Sequence, residues 1–142
     1  MASKGWRLVG VVVVAAGLTA CGKSGGDLAG PSTVGLQGTW TLASLQQAGG
    51  SVEQAPAGFT AEFGADGNLA VRADCNSCHA TYLAEASHIN VSPNMACTLA
   101  YCSSAPFDSK YTKLLTSATS WRTDNGTLEL RSDAGVLTFR RQ

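Results

Sequence analysis

From residue 36 onward, apolar residues recur at every second position in short runs separated by turn residues, the pattern of strands with one buried face. Trp40 and Leu42 alternate after Gly38, and Phe59, Ala61 and Phe63 lead into Ala65-Asp66-Gly67-Asn68, a hairpin signal. Leu69, Val71 and Ala73 alternate out of that turn, and Ile89 and Val91 mark a further short strand. Asp124-Asn125-Gly126 turns into Leu128 and Leu130, and Asp133-Ala134-Gly135 turns into Leu137 and Phe139. The period changes once. Over Pro106 to Ser120, the residues Phe107, Tyr111, Leu114, Leu115 and Ala118 fall on one face at helical spacing, with Pro106 in the first turn and Ser104 as candidate N-cap. The expected fold class is α+β, mostly β: a curled antiparallel sheet or small partial barrel with one packed helix.

The first twenty residues follow a different logic. Lys4 and Arg7 precede an apolar run from Leu8 to Leu18, which as a helix spans roughly 16 Å, too short for a bilayer core. That is the length of a signal-peptide core, and Leu18-Thr19-Ala20-Cys21 matches a bacterial lipobox. Residues 1–20 are therefore expected to be a lipoprotein signal peptide and Cys21 the acylated first residue, attached to the lipid bilayer. Gly22 rather than Asp follows, which points to the outer membrane, facing the periplasm, in a cell with two membranes. Gly17 to Ser24 also fits G-x-x-x-x-G-K-[ST], but the cleavage site would cut that motif and Gly25-Gly26 starts a helix poorly. Residues 21–35 complete a Gly-, Ser- and Pro-rich tether with a root-mean-square span of about 20 Å.

Residues 36–142 suffice for one compact core. Removal of Lys4 and Arg7 leaves eight basic against ten acidic residues, with no basic patch and no interleaving of Arg with aromatics, so nucleic acid is not an expected partner.

Leu36-Gln37-Gly38-Thr39-Trp40, the Phe63–Gly67 turn, Asp74-Cys75-Asn76 with Tyr82, and Thr98-Leu99-Ala100-Tyr101-Cys102 together resemble the META domain of HslJ-like lipoproteins. The resemblance covers nearly all of 36–142 and implies an envelope or stress-associated domain without established catalytic residues. Asp74 and Ala80 stand where the family carries glycine, so these residues lend no support to a special backbone conformation at either position. Cys78 and Cys97 are additions to the family pattern.

Cys75, Cys78 and His79 spell C-x-x-C-H, which attaches c-type haem in other contexts or supplies half of a zinc site. Haem attachment needs a hydrophobic, usually helical wrap, and the residues before Cys75 alternate like a strand. With Cys21 acylated, four cysteines remain, and these allow three disulfide pairings. If residues 75–82 and the segment ending at 102 run antiparallel, Cys75–Cys102 and Cys78–Cys97 fall in nearly one register. The family's own cysteines match 75 and 102. The nested pairing is favoured, and a bulge would overturn it.

No nucleophile elbow is present, and His79 and His88 are the only imidazoles. The expectation is no enzyme and no cofactor: a monomeric binding or scaffold domain for an unidentified protein or small molecule, with Trp40, Asn76, Tyr82 and Trp121 as candidate ligand contacts. The alternative is a metal- or haem-binding redox protein using Cys75, Cys78 and His79.

Overall fold

The structure, a computed structural model, describes residues 35–142. The expected signal peptide (1–20), Cys21 and the tether up to residue 34 lie outside the described residues. The strands are β1 (Gly38–Gln47), β2 (Val52–Gln54), β3 (Phe59–Phe63), β4 (Asn68–Ala73), β5 (Asn76–Glu85), β6 (His88–Val91) and β7 (Ala96–Cys97). After the helix α1 (Phe107–Thr116) come β8 (Ser120–Asp124), β9 (Thr127–Ser132) and β10 (Gly135–Arg141).

Neighbouring strands pair antiparallel in the order β10-β9-β8-β6-β5-β4-β3-β1, and β1 pairs β10 to close the ring. The sheet expected to be curled or a small partial barrel is a closed barrel of eight strands, with one packed helix as expected. Closure removes the free edges that an open sheet of this length would expose. Two short strands lie outside the ring: β2 on β1 and β7 on β5.

Alternation decides what fills the lumen. The expected inward residues of β3, β4, β6, β9 and β10 are all buried. In β1, the register against β10 slips between Leu42 and Ser44, which makes Ala43 the extra residue of a bulge. The slip resets the period so that Trp40, Leu42 and Leu45 all reach the core. The Ala43 carbonyl then accepts a 2.9 Å bond from Ala55 N–H.

The helix stops at Thr116, short of the expected Ser120. The Thr116 and Ser117 hydroxyls donate back to the Thr112 and Lys113 carbonyls at 3.1 and 2.7 Å, a local alternative to helix continuation. The chain then enters β8, where Ser120 pairs with both His88 and Arg131. At its start α1 has no side-chain cap; Ser104 instead offers its carbonyl to Phe107 N–H at 2.7 Å. Tyr111, Leu114 and Leu115 are buried, with Tyr111 edge-on to Phe59 and tilted against Phe139.

The helix packs on β10, β1, β4 and β6 across one end of the barrel. At the other, Leu36 is fully buried and its carbonyl accepts a 2.7 Å bond from Trp40 Nε1. Arg141 lies 4.4 Å over the Trp40 ring and donates to the Gly35 and Gln37 carbonyls. The lumen is a packed core.

Candidate functional site

The turn from β4 to β5 carries the D-C-N residues. Asp74 has φ of 59°, the left-handed conformation that suits glycine and that Asp tolerates better than most residues. The special backbone for which Asp74 lent no support in the sequence is therefore present at this position. The Asp74 carboxylate accepts a 2.7 Å bond from Ser104 N–H, which ties the turn to the chain ahead of the helix.

Asn76 faces inward at the start of β5, and its side chain takes the place of a strand. Its Oδ1 accepts from Ala100 N–H at 2.8 Å and its Nδ2 donates to the Ala100 carbonyl at 3.0 Å. Oδ1 also accepts from the Thr98 hydroxyl, which in turn accepts from Ser77 N–H, both at 3.0 Å. Thr98 N–H donates to the Ser77 carbonyl, again at 3.0 Å. The ladder that begins with β7 on β5 thus continues through a side-chain amide as far as Ala100.

Two sulfur pairs bracket this loop. Cys78 and Cys97 face each other across the β5–β7 register at disulfide distance. Cys75 and Cys102 are joined likewise over a separation of 27 residues. The nested arrangement follows from one continuous antiparallel run, and the offset between the pairs is taken up where the Asn76 side chain rather than its backbone meets Ala100. Between the brackets, Leu99 is 95% and Tyr101 100% exposed, although both are large and apolar. The stretch 92–106 contains no charged residue. A hollow of about 160 Å³ separates the loop from the helix, lined by Asn76, Cys97, Leu99, Asp108, Ser109 and Thr112. The site is a rigidly held, uncharged loop with its apolar side chains turned outward.

The structure does not bring the four candidate ligand contacts together. Trp40 is core, held by Leu36. Tyr82 is buried edge-on to Phe63, and its hydroxyl donates to the Gly64 carbonyl at 2.7 Å. Trp121 is also buried, and its Nε1 has no hydrogen-bond partner among the described residues. Only Asn76 borders the hollow beside the loop. A roomier hollow of about 400 Å³ lies against Leu83, His88 and Ile89 on the β5–β6 hairpin and involves none of the four.

C-x-x-C-H does not converge either. The sulfurs of Cys75 and Cys78 belong to different pairs, and strand alternation turns His79 to the exposed outer face while Cys78 is buried. His88 is exposed at the start of β6. Among the described residues, no three His, Cys, Asp or Glu side chains are grouped to hold a metal ion.

The perturbed titrations lie elsewhere. Bonds from the Asn68 backbone and side chain hold the Asp66 carboxyl below its ordinary range. Burial, and then the Asp66 charge, push the Tyr82 phenol up. Complete burial raises Tyr111, whose hydroxyl donates to the Thr60 carbonyl at 3.0 Å. Arg122, followed by Arg131, holds Glu129 below its ordinary range on the outer face of β8 and β9. None of these groups borders the clamped loop.

Fold and site define a small closed antiparallel barrel, capped by one helix, with a disulfide-bracketed loop at the capped end. The sequence matches the family model of the META domain over residues 33–142, and the chain belongs to that family. No curated protein matches the sequence. Three solved structures share the fold. A protein from Burkholderia xenovorans, solved by NMR, is 19% identical with a TM-score of 0.63, over 79% of this chain and 88% of that one. A DUF4847 family protein from Bacteroides vulgatus is 16% identical with a TM-score of 0.58, over 77% and 95%. A lipocalin-like protein from Bacteroides uniformis is 16% identical with a TM-score of 0.51, over 75% and 98%.

Proposed function

We propose that the chain is an exported bacterial lipoprotein, anchored in the cell envelope through acylated Cys21, whose barrel is a monomeric, non-catalytic binding or scaffold domain. The observation that supports this is the parity of the cysteines. Of five, the four in the domain lie in two bonded pairs, and Cys21, at the end of the lipobox, is left over. Disulfides persist in oxidising compartments, which agrees with export. A packed lumen favours recognition at the surface over a ligand held inside. A role in envelope stress or antibiotic tolerance comes from family analogy alone.

The test is metabolic labelling with palmitate in a bacterium expressing the full chain, followed by fractionation. Wild type incorporates label and sediments with membranes, and Cys21→Ala does neither. A wild-type protein that is exported, unlabelled and soluble refutes the anchor.

A further inference from the structure

We propose that residues 97–101 form a docking edge for an extended, uncharged segment of another protein, which adds as a strand beside the clamped loop. The backbone runs without a turn or bend from Ala96 to Cys102. In an extended chain, successive residues direct their backbone groups to opposite sides, and here the inner side is satisfied by Ser77 and Asn76 through Thr98 and Ala100. The N–H and C=O groups of Leu99 and Tyr101 therefore point away from β5, and they have no hydrogen-bond partner among the described residues.

Natural proteins blunt such edges with charge or proline. From Ala96 to Ala105 this chain has neither. It presents instead the fully exposed Leu99 and Tyr101, and beside them the 160 Å³ hollow against α1, several times the volume of a water and roomy enough for one side chain of an added strand. Strand addition draws affinity from main-chain bonds and specificity from alternate side chains. The two sulfur pairs and Asn76 hold the loop extended beforehand, so ordering it costs little on binding.

The occupant follows from charge, position and area. A loop without charges suits an uncharged segment. The described chain starts at Gly35, near Trp121 and Thr123 and at the end of the barrel where β1 begins. The loop sits beyond the β4–β5 turn, at the opposite end. On the anchored reading, on which this orientation rests, attachment at Cys21 holds the first end toward the bilayer and turns the loop away from it. A five-residue edge also falls well short of the roughly 800 Å² per partner of a stable dimer, which argues against a second copy.

The test is amide hydrogen exchange on the mature, acylated protein in dodecyl maltoside. The probe is a mixture of capped heptapeptides alternating Val, Ile, Phe or Tyr with Ser or Thr. Exchange at Leu99 and Tyr101 slows at least tenfold with the peptides, and fully N-methylated versions have no effect. Tyr101→Asp, at a wholly exposed position, weakens the protection tenfold without altering exchange in the core. Unchanged exchange at millimolar peptide overturns the proposal. So does protection that appears with protein concentration alone, which would mean a second copy, or with phosphatidylethanolamine–phosphatidylglycerol vesicles, which would mean a membrane face. Loss of palmitate labelling with peptide protection intact would remove the anchor and the orientation while upholding the edge.

Discussion

The loop clamp is tested most directly at Asn76, through Asn76→Ala. The side chain is buried, and it makes two bonds to the Ala100 backbone, one with the Thr98 hydroxyl and a weaker one to the Cys102 sulfur. A hydrogen bond of this kind contributes about 0.5–1.5 kcal/mol net, and Ala100 is exposed enough for water to replace what is lost. The three bonds to oxygen and nitrogen groups, taken at about 0.7–1 kcal/mol each because water compensates, then amount to about 2–3 kcal/mol. Because the sulfur pairs hold the loop at Cys97 and Cys102, that loss falls on local opening before it falls on global unfolding. At about 1.4 kcal/mol per factor of ten, the Ala100 amide should exchange about 30- to 150-fold faster, while amides in β9 and β10 change far less. Amide exchange followed by NMR measures both. Asn76→Asp sharpens the test: at neutral pH a carboxylate would face the Ala100 carbonyl, and protection should recover as acid restores a donor. If Ala100 exchanges at the wild-type rate in Asn76→Ala, the side chain is not acting as a strand and the clamp is wrongly assigned.

The barrel seam offers a contrast between two glycines. A Cβ at Gly135, where φ is 149°, collides with the Gln46 carbonyl, so Gly135→Ala should open the β1–β10 seam and lower the thermal midpoint far more than Gly126→Ala, which meets nothing in its turn. Similar midpoints for the two would refute the close approach. Tyr111→Phe removes the bond to the Thr60 carbonyl without opening a cavity and should cost about 1–2 kcal/mol in urea unfolding; no loss would show that this bond is replaced by water. Glu129 is held below its ordinary pKa by Arg122 and Arg131, so its contribution is present above the unfolded carboxyl pKa and is lost as pH falls through the folded value. Glu129→Gln should therefore reduce stability at pH 7 by less than about 1 kcal/mol, given the exposure of its partners, and the gap to wild type should close as pH falls below the folded value. A gap that persists in acid would assign the effect to packing.

Most strands and the helix were legible because each carries its own periodicity: Phe59, Ala61 and Phe63 declare a face wherever the sheet goes. Strands with weak patterns escaped. β8 reads Ser-Trp-Arg-Thr-Asp, with one apolar residue, and merges with the helical pattern before it. β5, one of the two longest strands, buries Asn76 and Cys78 where an apolar residue would have marked its face. The exposure of the loop was not legible for a related reason. Leu99 and Tyr101 stand two apart, the spacing that usually means a shared buried face, yet both are exposed, because the inner side of this segment is satisfied by a side-chain amide rather than by packing.

By itself the sequence determined which residues face inward along most elements, where the hairpins turn, and that four cysteines could nest across one antiparallel run. Local sterics and two-residue alternation act over a few neighbours, so they are written in adjacent positions. The tertiary structure alone decided that the sheet closes through β1 and β10, whose pairing joins the two ends of the domain. It also decided that Leu99 and Tyr101 are held out into solvent. Each of these depends on contacts between residues far apart in the chain, such as Trp40 with Arg141, Asn76 with Ala100 and Cys75 with Cys102. Their geometry exists only once the strands between them have been laid side by side.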